Sequence, residues 1–311
     1  MRQAGRYLPE YLELRSRHAF QDAIRDPKVA SEITLQPIRR FGFDGAVIFA
    51  DIMTPLEAMG VDVTFDPGPR LTPMSLAEIA DLPDLDPDRI AHVAETLRLV
   101  RREVPEDVTV IGFAGAPTTL LAYLLEGSGS KEYLVLRRAM HEETPELEAA
   151  IAKLATSMHA YLGMQIEAGA QVVQLFDSWA GTLPRSILEE RVFPAARDTL
   201  SDLEAPTIYF APGAGHALGS MRDVGASGYG VDWRIPIDEA WDQLGPAVAV
   251  QGNLDPAVLL TSPDRVHAAV RALIERTAGR PGHIVNLGHG IDRRTPLENV
   301  AALVAAVKES S

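Results

Sequence analysis

Short apolar segments rich in β-branched residues alternate with helical patterns along the chain. Turn residues bound each segment, as is usual for buried parallel strands. Alternation of this kind predicts a parallel sheet covered by helices, either an open doubly wound sheet or a closed barrel. The seven predicted strands lie in "GAVIFAD", "VTVIGFA", "QVVQLFD", "PTIYFAP", "GYGVDW", "AVAVQGN" and "HIVNLGH".

Helical patterns fill the intervals between these strands. The longest predicted helix begins at Pro145 and ends near Gly169, and Pro194 is expected to kink or break a later one. Two pairs, Asp26–Pro27 and Ser262–Pro263, have the form of a cap followed by proline at a helix start. The stretch "VDVTFDPGPRLT" is predicted to be an inserted loop or hairpin.

Two features favour a (β/α)8 TIM barrel over an open sheet. Polar and glycine residues follow nearly all the strands, and in such a barrel the strand ends converge on one site. No G-x-G-x-x-G follows an early strand, so the dinucleotide-binding fingerprint is missing. We expect a single domain over residues 1–311. Because seven strands are one too few for this barrel, we expect the first strand to lie upstream of Met1.

Composition excludes several functions. The net charge of −14 argues against a nucleic-acid partner, because phosphate binding needs a basic surface. No apolar run could span a membrane or form a signal peptide, so we expect a cytoplasmic protein. The chain has no cysteine, which excludes thiolate ligands and thiol nucleophiles. The excess of 25 Arg over 4 Lys fits either a GC-rich genome or recognition of carboxylates.

Polar residues at the strand ends are the candidate site residues. Asp51 ends the first strand, and Thr54–Pro55 is the better predicted helix cap, which leaves Asp51 to face a site. Tyr123 lies in the first turns of a helix that Thr118 or Thr119 could cap, as a ligand or as a core residue. Ser178 is either a turn residue or a site residue.

His289, which lies between two glycines, is likewise either a structural turn residue or a site residue. We expect no metal, because the strand-end residues His216, His289, Asp177 and Asp232 lack tight ligand spacing. The lysines, which are Lys28, Lys131, Lys153 and Lys308, fall in predicted helices, and this argues against a Schiff base. No G-x-S-x-G elbow is present, so a serine hydrolase is not expected.

With these residues in view, the chain resembles the uroporphyrinogen decarboxylase family. The resemblance runs from Met1 to the last helix, and the first and last motifs are the most specific. Family members usually carry a stretch before M-R-Q-A-G-R that includes the first barrel strand, which this chain lacks. The motifs, in the family's order, are "MRQAGRYLPEY", "TLQPIRRF", "VIFADI", "GAPTTLLAYLLEG", "LFDSWAG" and "NLGHGI" with "TPLENV".

The resemblance implies a lyase that uses neither cofactor nor metal. It would convert the four acetate side chains of uroporphyrinogen III to methyls, giving coproporphyrinogen III for haem synthesis, and would form a homodimer. Asp51 would accept hydrogen bonds from the pyrrole N–H groups, and Arg2 or His289 would donate a proton. The implied substrate-binding residues are Arg2, Gln3, Ala4, Gly5, Arg6, Arg15, Asp51, Tyr123, Ser178 and His289, with Arg2 and Arg6 on the substrate carboxylates.

Two alternative functions accompany this expectation. One is a corrinoid-linked methyltransferase on the same barrel, which holds zinc with Cys and His ligands; the absence of cysteine counts against it. The other is an inactive tetrapyrrole-binding protein, which would need Arg2 and Arg6 but not Asp51.

Overall fold

A computed structural model describes residues 3–65 and 68–310 of the chain. Seven parallel strands form the main sheet, in the order β1-β4-β5-β6-β7-β8-β9, and β2 pairs with β3 in a separate antiparallel hairpin. The strands are β1 (Gly45–Val47), β2 (Thr64–Phe65), β3 (Pro69–Arg70), β4 (Thr109–Gly115), β5 (Val172–Phe176), β6 (Thr207–Phe210), β7 (Gly228–Gly230), β8 (Ala249–Leu254) and β9 (His283–Leu287).

Helices follow most of the strands and cover the outer face of the sheet. The helices are α1 (Pro9–Arg17), α2 (Phe20–Arg25), α3 (Pro27–Phe41), α4 (Thr54–Ala58), α5 (Leu76–Ala80), α6 (Pro87–Glu103), α7 (Pro117–Glu126), α8 (Leu134–Glu142), α9 (Pro145–Glu167), α10 (Arg185–Ile187), α11 (Phe193–Leu200), α12 (Leu218–Met221), α13 (Ile237–Leu244), α14 (Pro263–Arg276) and α15 (Leu297–Lys308). Short 3-10 helices cover Ala180–Thr182, Gly215–Ala217, Arg222–Val224 and Pro256–Leu260.

The sheet is curled rather than flat. A side-chain hydrogen bond of 3.2 Å runs from Gln251 on β8 to Gln174 on β5, although β6 and β7 lie between these strands. In a flat sheet, strands three places apart would be separated by about 14 Å. The bond therefore crosses the concave side, and the expected TIM-barrel class of fold is confirmed, with seven strands in the described residues. The eighth strand expected upstream of Met1 stays a prediction.

Aromatic rings line this concave side. Phe113 of β4, Phe176 of β5 and Phe210 of β6 form consecutive edge-to-face contacts, with ring centroids 5.6 and 6.2 Å apart. Gly230 of β7 continues the row without a side chain, because a Cβ there would lie 2.4 Å from the Phe210 ring. The Phe210 ring therefore packs directly against the backbone of β7 on the concave side.

The helix starts predicted from local sequence signals at Asp26 and Ser262 are confirmed. The Asp26 carboxylate accepts the N–H groups of Lys28 and Val29, and the Ser262 hydroxyl accepts that of Arg265. A π-helical turn, Leu188–Val192, lies just before Pro194 and confirms the predicted break, because proline has no N–H to continue the helix.

The predicted insertion is confirmed as the β2–β3 hairpin, with Thr64 paired to Arg70. The chain leaving it binds the end of α7, since the N–H of Leu71 donates to the carbonyl of Gly127 at 2.9 Å. One lysine prediction is wrong: Lys131 lies in a bend between α7 and α8, not in a helix. The glycine- and serine-rich stretch 127–130 before it interrupts the helical pattern there.

Candidate active site

Asp51 lies beyond the carboxyl end of β1 and is half-buried. Its Oδ1 accepts the backbone N–H of Met53 at 2.9 Å, and its carbonyl accepts that of Thr54 at 3.2 Å. Thr54 is the first residue of α4 and does not cap it, contrary to the prediction. An Asp side chain readily bonds the N–H two residues ahead, so Asp51 helps to form the turn into α4.

The buried phenol of Tyr161 on α9 is electrostatically coupled to Asp51. Burial raises the pKa of Tyr161, and the negative charge of Asp51 raises it further. The phenol therefore stays neutral at physiological pH. Tyr161 was not a candidate from the sequence, because it lies within the apolar face of a long helix.

The N-terminal motif is attached to β1 through Gln3. The Gln3 side-chain amide donates to the carbonyl of Gly45 at 2.6 Å and accepts the N–H of Val47 at 3.0 Å. A residue on a neighbouring parallel strand would make the same pair of bonds with these two residues. The carbonyl of Gln3 in turn accepts the Tyr7 hydroxyl at 2.7 Å. Gln3 thus acts as a structural anchor between the motif and the strand that leads to Asp51.

The three residues between Gln3 and the buried Tyr7 are partly or fully exposed. Ala4 and Gly5 are half-buried, and Arg6 is exposed. A Cβ added at Gly5 would meet no described atom within 4 Å, so packing does not require glycine there. Arg2, the other predicted carboxylate ligand, lies outside the described residues, as does Met1.

Arg15 is the remaining predicted arginine, and it is half-buried on α1. Its guanidinium donates to the carbonyl of His18, which caps the same helix. It also lies over the Phe20 ring, 5.5 Å from the centroid. These contacts orient the end of α1.

Tyr123 and Ser178 come from α7 and from the chain after β5. Tyr123 is 8% exposed, and its ring meets that of Trp179 edge-on at 6.0 Å, so the residue next to Ser178 packs on Tyr123. Ser178 is half-buried. The predicted caps are wrong: α7 begins at Pro117 after Ala116, and Thr118 and Thr119 lie inside the helix.

Thr119 instead takes part in a buried polar network that sequence reasoning missed. Its hydroxyl donates to Asp177 Oδ1 at 3.0 Å, and the Tyr209 hydroxyl donates to Asp177 Oδ2 at 2.8 Å. Asp177 and both partners are 0% exposed. Burial raises the pKa of Asp177 to about 6, and the two hydrogen bonds oppose that shift because they stabilise the carboxylate.

His289 follows β9 and is exposed. Its ring meets the edge of Trp233 at 5.9 Å, and the Arg234 guanidinium covers Trp233 at 4.1 Å from the ring centroid. Only glycine fits at position 288, because a Cβ there would lie 2.4 Å from the backbone nitrogen of Trp233. The chain segments after β7 and β9 are therefore in direct contact.

The other polar strand-end residues have structural partners. Asp232 accepts the N–H groups of Gly213 and Arg234, and a ring nitrogen of His216 bonds the carbonyl of Leu183. No cluster of metal-ligating side chains occurs among residues 3–65 and 68–310. No helix in that part of the chain has the length and apolar character needed to cross a membrane.

Comparisons with known proteins agree on one family. The sequence model of "Uroporphyrinogen decarboxylase (URO-D)" matches residues 1–310. The uroporphyrinogen decarboxylase of Carboxydothermus hydrogenoformans is 41% identical over 319 residues, covering 100% of this chain and 91% of that protein. That of Syntrophotalea carbinolica is 44% identical over 313 residues, covering 99% and 91%.

Solved structures agree on the fold. A methyltransferase from Methanosarcina mazei matches with a TM-score of 0.81 at 22% identity, covering 96% of this chain and 90% of that one. A B12-independent methionine synthase from Shewanella sp. W3-18-1 matches with a TM-score of 0.64 at 10% identity, covering 91% and 88%. At such identities the likeness concerns the fold alone.

Proposed function

The chain belongs to the uroporphyrinogen decarboxylase family, and on that premise we propose that it removes CO₂ from the four acetate side chains of uroporphyrinogen III, giving coproporphyrinogen III. The enzyme is a carboxy-lyase with one barrel domain over residues 1–311. The observation that carries this proposal is the connection through β1: Gln3 holds the arginine-bearing segment to the strand that leads to Asp51. This attachment of the arginine-bearing segment beside β1 supports the assignment of Arg6 and Asp51 to one site.

The substrate carries eight carboxylates, and the arginines of the N-terminal motif are the groups that bind them. A guanidinium forms two parallel hydrogen bonds with a carboxylate, which gives orientation as well as charge. Arg6 lies three residues after the anchored Gln3 and is exposed, so its guanidinium is accessible to a ligand. Arg2 is assigned the same role from the family motif. Two arginines in one short segment would also let an acidic protein bind a polyanion.

Decarboxylation needs an electron sink, and the pyrrole ring supplies it. Protonation of a pyrrole α-carbon makes the ring cationic; the bond between the acetate CH₂ and its carboxylate then breaks. The electron pair moves into the ring, CO₂ leaves, and an exocyclic methylene remains. Protonation of that methylene and loss of the α-carbon proton give the methyl group, so each acetate consumes one proton.

Asp51 stabilises the cationic ring through the pyrrole N–H groups. A carboxylate that is already fixed by its backbone contact needs no reorganisation when the charge develops. Loss of one such partner typically costs about 2.7–4 kcal/mol of transition-state stabilisation. Arg2 and His289 are both candidates for the proton donor. Tyr123 and Ser178 complete the polar lining with them.

Two further properties rest on the family resemblance. The protein is proposed to be a cytoplasmic homodimer in which two clefts face each other. Light scattering of the purified chain tests the dimer. The net charge of −14 supports a small-molecule substrate over nucleic acid.

A methyltransferase on the same barrel is the second candidate, and the structural match to the Methanosarcina mazei protein supports only the shared fold. That alternative holds its zinc with Cys and His ligands, and the absence of cysteine from the chain counts against it. The decarboxylase is therefore the better proposal.

An anaerobic assay on reduced uroporphyrinogen III decides between them. Products are oxidised and separated by chromatography according to the number of carboxyl groups. The proposal expects products with seven, six, five and finally four carboxyl groups. An unchanged substrate with eight would refute it.

A further inference from the structure

Asp177 is a buried acid that the decarboxylation mechanism does not use. We propose that Asp177 is a positioning residue, which holds α7 against the ends of β5 and β6 and so fixes Tyr123 relative to Ser178. The inference rests on the proposed function, in which Tyr123 and Ser178 line the substrate cleft.

The geometry links the three elements directly. Thr119 and Tyr123 are four residues apart on α7 and therefore lie on one face of that helix. The bond from Thr119 to Asp177 joins this face to the residue that precedes Ser178. The Tyr209 hydroxyl donates to the other carboxylate oxygen, which connects α7 and Asp177 to β6.

Backbone contacts support the same arrangement. The N–H of Asp177 donates to the carbonyl of Phe210 at 2.8 Å, and the N–H of Ala116 donates to the carbonyl of Phe176 at 2.8 Å. The end of β5 is thus tied to β6 on one side and to the start of α7 on the other. Packing of Trp179 on Tyr123 closes a loop of contacts that runs from α7 through Asp177, Ser178 and Trp179 and back to α7.

A wholly apolar cluster, with Asp177 and both hydroxyl partners replaced, would fill this site at lower cost. A buried carboxylate loses its hydration, and here its partners are the neutral hydroxyl groups of Thr119 and Tyr209. Hydrogen bonds from α7 and β6 to the same carboxylate fix the distance and orientation of these two elements relative to Asp177, which apolar packing alone does not do. This is the physical reason to place an acid immediately before a residue that lines the cleft.

The test is a double-mutant cycle between Thr119 and Tyr123, read as kcat/KM on uroporphyrinogen III. Thr119→Val keeps the shape and removes the hydroxyl, so kcat/KM should fall about tenfold, as expected for loss of one hydrogen bond to a charged group. Thr119→Ser keeps the hydroxyl and should stay within about twofold of the wild type. In a Tyr123→Phe background, Thr119→Val should cost less than about twofold, because its effect passes through Tyr123.

Thr199→Val is the matched control. Thr199 is also 0% exposed, but its hydroxyl bonds within α11, to the carbonyl of Ala195. It should leave kcat/KM unchanged even where it lowers the melting temperature. If Thr119→Val had the same effect in both backgrounds, or no effect, the positioning role would be wrong.

A crystal structure of Thr119→Val separates this proposal from the proposed function. If the wild type had no decarboxylase activity, the proposed function would fail, but the structure would still report on positioning. Displacement of Tyr123 from its contact with Trp179 supports the inference. An unmoved Tyr123 overturns it.

Discussion

The side-chain carbonyl of Gln3 accepts the backbone N–H of Val47 at 3.0 Å, so an amide from the N-terminal motif occupies the edge of β1. Tyr7, Leu8 and Tyr11 of the motif pack in a buried apolar cluster, and the Gln3 bonds add a polar connection to β1. The family resemblance implies that Gln3 binds substrate. In the structure, its side chain instead bonds β1 and holds the N-terminal segment in place.

Gln3→Ala removes both bonds to β1 and should release the motif. We expect kcat/KM to fall at least about tenfold, with a loss of about 1–2 kcal/mol in unfolding free energy for the two hydrogen bonds. Steady-state kinetics and urea unfolding measure the two effects. Gln21→Ala is the control, because the Gln21 amide also bonds a backbone carbonyl, that of Val63. Equal activity in the two variants would show that the anchor is dispensable.

Asp177 should make the free energy of unfolding decrease as the pH rises, because its pKa is raised on folding. Its pKa in the folded protein, about 6, lies above the ordinary value of 3.8. The protonated form therefore stabilises the fold fully below pH 3.8, and this contribution is lost as pH rises through 6. The shift corresponds to about 3 kcal/mol.

Asp177→Asn does not titrate and serves as the reference for this effect. The variant should gain roughly 2 kcal/mol in unfolding free energy, relative to the wild type, between pH 4 and pH 7, because the full effect of about 3 kcal/mol is reached only well below pH 3.8. Urea unfolding across this pH range measures the difference. A difference that does not change with pH would show that the Asp177 pKa is not raised.

Much of the fold was predictable because its signals are local. The seven strands, the π-helical break before Pro194 and the capped helix starts at Asp26 and Ser262 all follow from neighbouring residues. The caps predicted at Thr118 or Thr119 were wrong because Pro117 is the first residue of α7, which makes Ala116 the cap. The cap predicted at Thr54 was wrong because α4 begins one residue earlier than its proline indicates, with Met53 as the cap.

The contacts that organise the site could not be predicted in this way. Thr119 and Asp177 are 58 residues apart, and Gln3 and Val47 are 44 apart. Such pairs depend on how the sheet curls, and a sequence pattern carries no information on which hydroxyl reaches which carboxylate. The buried aspartate itself was visible after β5, but its partners were not.

Arg6→Lys tests whether the motif binds carboxylates by geometry or by charge alone. Lysine keeps the positive charge but cannot form the two parallel bonds of a guanidinium. We expect KM to rise at least about fivefold, as for loss of a charged hydrogen bond. Arg17→Lys is the control, since Arg17 forms an exposed ion pair with Glu13 on α1. If lysine served equally well at position 6, the geometric argument would be wrong.

The proposed chemistry requires no metal. Activity should survive prolonged dialysis against a strong chelator, measured with the same assay before and after treatment. The chain offers no thiolate, and its described residues contain no cluster of metal ligands. Activity that was lost to the chelator and restored by Zn²⁺ would favour the methyltransferase alternative instead.

The central claim is that Asp51 supplies the charge that stabilises the cationic pyrrole, and Asp51→Asn tests it most directly. Asparagine keeps an oxygen that can accept the N–H of Met53, so the turn into α4 should persist. The measurement is single-turnover decarboxylation of uroporphyrinogen III, with circular dichroism to confirm the fold. We expect a rate at least about a hundredfold below the wild type, because the carboxylate charge is gone. A folded Asp51→Asn variant with a rate near that of the wild type would contradict it.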